Sequence, residues 1–194
     1  MIKQESIKKR YKGIAVGASA GGGQALAEIL SGLPADYGSP ILVVQHLHPA
    51  DDGVFASRLN RETDISVVTP CDKEKIQPGR IYIAPANYHM LVERNGAIAL
   101  SVDEKVNWSR PSIDVLFESA AHAWEEAVIA ILLSGANADG TKGMGVVKKA
   151  GGLTIAQDPA TAKVPTMPQA AIAAGVVDRV MTLEEILKLL KKLG

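Results

Sequence analysis

The sequence predicts an α/β fold in which helices cover both faces of a doubly wound, mostly parallel open sheet. Short apolar runs continue without polar alternation, as expected of strands that are buried on both faces. Helical patterns lie between these runs, which is the arrangement of parallel strands joined by crossover helices. An Asn-Gly pair between two further apolar runs adds an antiparallel hairpin excursion.

Six apolar runs are predicted to form the strands of the sheet. Several of them are rich in β-branched residues, which favour extended structure. In chain order they span residues 13–17, 41–44, 65–68, 81–84, 128–133 and 153–156. The hairpin is expected to turn at Asn95 and Gly96, between residues 90–93 and 97–100.

Three segments have the apolar spacing of amphipathic helices. They are residues 20–30, 113–124 and 183–190. Pro111 and Ser112 are a helix start signal for the second segment. Thr182 and Glu185 match a capping box at the start of the third.

A single domain is predicted over residues 12–194, because no linker, repeat or low-complexity tract interrupts the pattern. Residues 1–11 are expected to form a mobile, charged lead-in. This lead-in lacks the apolar stretch of a secretory signal.

The composition excludes several classes of function before any motif is considered. The 21 Lys and Arg residues balance 21 Asp and Glu residues, and nucleic-acid binding usually needs a basic excess. Aromatic residues make up only 4% of the chain, which argues against a base-stacking surface. The longest apolar run, residues 127–133, is far shorter than the roughly 20 residues of a membrane span, so no membrane insertion is expected. The single Cys71 indicates a reducing compartment, and we expect a cytoplasmic protein.

The segment after the first predicted strand has three possible interpretations. In doubly wound sheets, functional groups gather at the carboxyl ends of the strands. Gly17, Ser19 and Gly21 form a G-x-S-x-G pattern, which resembles the turn that presents a nucleophilic serine. The same Gly-rich turn resembles a phosphate cradle, although the second Gly of G-x-G-x-x-G is absent. A turn that only lets the following helix pack closely is the third possibility.

His46 follows the second predicted strand and is a candidate general base. Imidazole has an unperturbed pKa that suits proton transfer near neutral pH. A metal site is the alternative, because His48 lies two residues further on and Asp51 and Asp52 could add oxygen ligands. Each His could also be a polar loop residue.

Asp139 follows the strongest predicted strand, in a loop of small residues. A helical pattern through Val146 and Val147 follows this loop, and Asp139 is expected to cap that helix, to orient an imidazole, or to do both with its two oxygens. Ser19, His46 and Asp139 thus provide the parts of a serine hydrolase at three strand ends. Their order along the chain differs from the Ser, Asp, His order of the α/β-hydrolases.

Several ordered motifs resemble the catalytic domain of the CheB family of chemotaxis protein-glutamate methylesterases, over roughly residues 12–190. The motifs lie at residues 14–22, 43–46, 83–86 with His89, 110–117, 137–140, 167–168 and 170–172 with Gly175. The resemblance implies hydrolysis of glutamate methyl esters on methyl-accepting chemotaxis receptors, often with deamidation of receptor glutamines. It implies Ser19 as the nucleophile, His46 as the base and Asp139 as the orienting acid, without a metal or an organic cofactor.

Loop residues around these positions are implied to stabilise the oxyanion, and some depart from the family pattern. The oxyanion and site-loop residues are Ala20, Gly21, Ala136 and Asn137. Ala20 replaces a common Thr, and residues 136–137 replace a Met-Gly pair. A missing oxyanion donor can reduce the rate by ~10²–10³.

Two other functions remain open at this point. A non-catalytic CheB-like module would bind receptors without hydrolysing esters, and a nucleotide-binding domain would use the turn at residues 21–23. The family typically has an N-terminal receiver domain, for which the lead-in is too short. Control by phosphorylation within this chain is therefore not expected.

Overall fold

A computed structural model describes residues 11–194 of the chain. The strands are β1 (Gly13–Ala18), β2 (Ile41–Gln45), β3 (Ser66–Val68), β4 (Arg80–Ile83), β5 (His89–Val92), β6 (Ile98–Ser101), β7 (Val128–Leu132), β8 (Leu153–Gln157) and β9 (Arg179–Met181). The helices are α1 (Gly22–Ser31), α2 (Val54–Glu62), α3 (Ile113–Trp124), α4 (Thr141–Lys149), α5 (Thr166–Ala173) and α6 (Leu183–Leu193), and a short 3₁₀ turn spans Glu125–Ala127. Apart from Tyr11, the predicted lead-in at residues 1–11 lies outside the described residues.

The central sheet has seven strands in the order β3-β4-β2-β1-β7-β8-β9, and every pairing within it is parallel. β1 lies between β2 and β7, so the chain builds outward on one side of β1 and later on the other. The carboxyl ends of these three strands meet at this switch in strand order. Ligands of open α/β sheets bind in this position.

The sheet is buried on both faces, which explains why its strands are continuous apolar runs. In β1, Ile14 and Val16 face a core that includes α1 and α6. Ala15, between them, faces a second core that includes α3 and α4. The two cores make a three-layer arrangement with helices on both faces.

Close packing between β1 and α3 depends on a glycine. A Cβ atom added at Gly17 would lie 2.3 Å from Cγ2 of Ile113 and 3.0 Å from Cδ1 of Leu132. No side chain larger than hydrogen fits there without movement. Because Gly17 precedes Ser19 by two residues and Ile113 begins α3, this contact sets the position of α3 beside the end of β1.

The predicted strands and the three predicted helices are confirmed, with ends that differ by a few residues. The hairpin, β5 paired with β6, forms a separate two-stranded antiparallel sheet.

Sequence patterns missed α2, α5 and β9. Only Ala56 and Leu59 of α2 are buried, so its apolar stripe is weak. α5 contains Pro168 in its first turn, where proline is tolerated but resembles a break.

Within residues 11–194, no helix combines the length and the apolar character that crossing a bilayer would require.

We predict that Gly17→Ala lowers the free energy of unfolding by about 1–3 kcal/mol, because the added methyl group overpacks the contact with Ile113. Gly38→Ala is the matched control, since a Cβ at Gly38 would have no neighbour within 4 Å. Urea denaturation of the two variants and the parent measures the difference. Equal stability of all three proteins would contradict the tight packing between β1 and α3.

Candidate active site

Ser19 and His46 follow adjacent parallel strands, and backbone hydrogen bonds hold their loops. The Ser19 N–H donates to the carbonyl of Ser134 at 2.9 Å, and the His46 N–H donates to the carbonyl of Ala18 at 3.0 Å. The buried Gln45 side chain donates to the carbonyl of Ser19 at 2.9 Å. The turn with Ser19 is therefore fixed against the ends of both β2 and β7.

His46 and Asp139 form a hydrogen-bonded pair. His46 Nε2 lies 2.9 Å from Asp139 Oδ2, although 93 residues separate them in the chain. The side chain of Asp139 is fully buried, whereas that of His46 is 14% exposed. A carboxylate can only accept, so His46 donates its Nε2 proton. In the neutral ring this tautomer leaves the lone pair on Nδ1 available for a proton.

The Asp139 carboxylate receives several further hydrogen bonds. Its Oδ2 also accepts from the Ile113 N–H at 2.7 Å. Its Oδ1 accepts from the Ser112 hydroxyl at 2.8 Å and from Asn107 Nδ2 at 2.9 Å. Burial alone would raise the pKa of Asp139, but the hydrogen bonds from His46, Ile113, Asn107 and Ser112 outweigh burial and lower that pKa. The carboxylate is held in its charged form beside the imidazole.

Asp139 lies at the N-terminus of α3 and not at the cap of the helix that follows it. The cap residue of α4 is Gly140, without a side-chain cap, so the capping interpretation of Asp139 is wrong for α4. Instead, Asp139 accepts the first N–H groups of α3, those of Ile113 and Asp114. The positive end of the α3 dipole stabilises the carboxylate further.

A second buried carboxylate, Asp114, lies next to the pair. Its Oδ1 accepts from the Gly143 N–H at 2.7 Å, and its Oδ2 accepts from Asn107 Nδ2 at 2.8 Å. Burial raises the pKa of Asp114, and the neighbouring charge of Asp139 raises it further, against the hydrogen bonds from Gly143 and Asn107. Asn107 thus joins two carboxylates through one amide nitrogen.

Ser19 and His46 line one open cavity of about 600 Å³. Phe55, Arg58 and Lys163 also line it. Between these two described side chains no hydrogen bond is formed. Catalytic hydrogen bonds are often long before substrate binds, so this separation is compatible with a nucleophile and base that close on substrate.

Free backbone donors surround the Ser19 turn. Within residues 11–194, the N–H groups of Ala20, Gly21, Ala136 and Asn137 donate to no protein acceptor. Ala20 and Gly21 line the cavity with Ser19, whereas Ala136 and Asn137 do not. The Asn137 side chain accepts from the Asp139 N–H at 3.2 Å, so it supports the loop that carries the acid.

Ser134 connects the loops around the site, a role that the sequence patterns did not identify. Its hydroxyl donates to the carbonyl of Ala20 at 2.7 Å and accepts from the Val164 N–H at 2.9 Å. Its N–H donates to the Gln157 side chain at 3.0 Å. The only signal in the sequence was a small polar residue directly after the strongest strand.

Two residues of the alternative metal site, His48 and Asp51, form local hydrogen bonds. His48 Nδ1 accepts from the Ala50 N–H. Asp51 accepts from the N–H groups of Gly53 and Phe55 and so caps the start of α2. Across the part of the chain that the structure describes, no group of three or more His, Cys, Asp or Glu residues is arranged to hold a metal ion.

Comparison with known proteins gives the family. The family model for the CheB methylesterase matches residues 14–190. The chain belongs to the CheB methylesterase family. The crystal structure of the Thermotoga maritima CheB methylesterase catalytic domain matches with a TM-score of 0.90 at 35% identity, covering 95% of this chain and 99% of that chain. The predicted fold class and the family resemblance are both confirmed.

Relatives of CheB type match over different shares of their lengths. A Leptospira interrogans relative is 44% identical over 183 residues, which are 94% of this chain and 95% of the relative. A Pseudomonas aeruginosa relative, named protein-glutamate methylesterase/protein-glutamine glutaminase 2, is 42% identical over 176 residues. That match covers 89% of this chain and 50% of the Pseudomonas protein.

We predict that Asp139→Asn lowers the free energy of unfolding at pH 7 by about 1–3 kcal/mol, because an amide nitrogen would face buried donors. The pKa of Asp139 is lower in the folded than in the unfolded chain, so its ionisation stabilises the fold above the unfolded value. This stabilisation is lost as the pH falls through the folded pKa. The gap between parent and variant should therefore be constant from pH 7 to 5 and should narrow below about pH 4.

Urea denaturation at pH 7, 5 and 3 measures this gap. The exposed Asp36→Asn is the control and should show a gap near zero at each pH. A gap for Asp139→Asn that widens with acid would contradict the stabilising role of the charged carboxylate.

Proposed function

We propose that this chain is a protein-glutamate methylesterase, a serine hydrolase that removes methyl esters from glutamate side chains of methyl-accepting chemotaxis receptors. The observation that carries the proposal is the hydrogen bond between His46 and the buried Asp139, beside the cavity that His46 shares with Ser19. The family and the names of its relatives support the same substrate. Deamidation of receptor glutamines is part of the proposal, because it uses the same acyl chemistry. The receptor is thus the proposed partner, and we expect the two to meet in the cytoplasm.

The reaction begins at Ser19. His46 accepts the Ser19 hydroxyl proton at Nδ1 while the oxygen attacks the ester carbonyl, giving a tetrahedral oxyanion and an imidazolium. The imidazolium returns the proton to the methoxy group, the C–O bond breaks, and methanol leaves. A glutamyl ester of Ser19 remains.

Water then acts as the nucleophile and Ser19 as the leaving group, while His46 again serves first as the base and then as the acid. His46 removes a proton from water, which attacks the glutamyl ester, and then returns that proton to the Ser19 oxygen. The products are a receptor carboxylic acid, which ionises, and the regenerated Ser19. In deamidation, the substrate is the glutamine amide and ammonia leaves in place of methanol.

Asp139 orients the His46 imidazole and stabilises the positive charge that the imidazole acquires. Its hydrogen bond to Nε2 fixes the tautomer in which Nδ1 is the base. Its negative charge stabilises the imidazolium that forms after proton transfer. The lowered pKa of Asp139 keeps this charge in place near neutral pH.

The oxyanion is stabilised by backbone donors at the start of α1. The N–H groups of Ala20 and Gly21 border the cavity, and the positive end of the α1 dipole lies behind them. Both donors belong to the backbone, so replacing a common Thr with Ala20 leaves them intact. The N–H groups of Ala136 and Asn137 are the second candidate pair, since substrate could bring their loop closer.

We predict that Ser19→Ala reduces ester hydrolysis by a factor of about 10⁴ or more, because the variant lacks the hydroxyl that lines the larger cavity with His46. Methanol release from methylated receptor preparations measures the rate. Ser31→Ala, an exposed position at the end of α1, is the matched control and should retain the parent rate. Full activity of Ser19→Ala would contradict the role of Ser19 as the nucleophile.

We also predict that a fluorophosphonate labels Ser19 covalently in the folded protein. In Asp139→Asn the labelling rate should fall by about 10³–10⁴, because the imidazole tautomer is no longer fixed. Mass spectrometry of the labelled peptide identifies the residue. A folded parent protein that stays unlabelled would favour the alternative, a receptor-binding module without catalysis.

A further inference from the structure

The loop between β6 and α3 exposes an unusual amount of apolar surface beside the site. We call residues 102–111 the Trp108 loop. Its residues 102–108 are all exposed, and Trp108 is 94% exposed. Of the six exposed large apolar residues in the described part of the chain, three (Val102, Val106 and Trp108) belong to this loop. Exposed apolar side chains gathered on one loop indicate an interaction site, and Trp is enriched among residues that dominate binding.

The Trp108 loop is held in place despite its exposure. Arg110 Nη1 donates to the carbonyls of Val102 at 2.5 Å and Asp103 at 2.9 Å. His89, which is buried, donates from Nε2 to the carbonyl of Glu104 at 3.0 Å. These bonds close the base of the loop, so its tip does not need to be ordered when a partner binds.

The backbone at the tip of the Trp108 loop has a rare conformation. Asn107 and Trp108 have φ values of +50° and +63°, a region that bulky residues rarely adopt. Asn107 is fixed there because its side chain donates to Asp114 and Asp139. Trp108 thus directly follows a residue whose side chain is bonded to both buried carboxylates.

Trp108 borders a second cavity, which shares lining residues with the first. This cavity of about 190 Å³ is lined by Trp108, Leu47, Lys105 and Arg110, among other residues, and by His46. His46 also lines the larger cavity with Ser19. His46 therefore lies between the two cavities as a shared lining residue, and a polypeptide with its ester at Ser19 would reach Trp108 by passing His46.

On the basis of the proposed function, we propose that Trp108 is a docking residue for the receptor polypeptide. Its indole packs against an apolar side chain that flanks the esterified glutamate. The methyl ester itself occupies the cavity with Ser19, whereas Trp108 contacts only a substrate long enough to span both cavities. Trp108 therefore selects a polypeptide over a small ester without touching the reacting atoms.

The test compares two substrates in the Trp108→Asn variant. Asn tolerates the left-handed backbone of position 108, so the loop keeps its conformation while the ring is removed. We expect kcat/KM for a methylated receptor fragment to fall at least about tenfold, mainly through KM. For the small ester p-nitrophenyl acetate, kcat/KM should change less than about threefold, and Trp108→Phe should recover much of the receptor activity.

Val180→Ala is the matched control, because Val180 is exposed and apolar but lies on the far edge strand β9. It should leave both substrates at the parent rate. Equal losses on both substrates in Trp108→Asn would mean that the loop acts through Asp139, and no loss on either would mean that the ring is not used. Both results would overturn the docking role. A parent protein inactive toward both substrates would instead overturn the proposed function.

Discussion

The Asp139 carboxylate is the point on which the proposed site depends. Four donors contact its Oδ1, and two contact its Oδ2. Removing a carboxylate from water is expensive unless hydrogen bonds replace the lost hydration. Here these hydrogen bonds come from the loop after β2, the Trp108 loop, the start of α3 and the start of α4. One buried charge therefore fixes the relative positions of four separate segments.

Much of this arrangement follows from the sequence because strand ends are predictable. Continuous apolar runs locate β1, β2 and β7, and the residues directly after them are Ser19, His46 and the loop with Asp139. Parallel pairing brings the carboxyl ends of these strands to one edge of the sheet. The sequence pattern alone therefore groups Ser19, His46 and Asp139.

The supporting residues could not be found in the same way. Ser112 has the sequence signature of an N-cap, yet its hydroxyl accepts no N–H group of α3 and instead donates to Asp139. Ser134 and Asn107 act through loops whose conformation is set by tertiary contacts. Local propensity carries no information about such contacts, because these partners are 27 to 114 residues away in the chain.

The hydrogen bonds around the two buried carboxylates, Asp114 and Asp139, keep Asp139 charged. Asp114 and Asp139 share Asn107, and like charges at close range oppose joint ionisation. The shift is unequal, because Asp139 receives the imidazole and more donors than Asp114. Its pKa is lowered while that of Asp114 is raised. The electrostatic penalty of burying two acids thus falls mainly on Asp114, which does not contact His46, and Asp139, the acid proposed to orient His46, remains ionised.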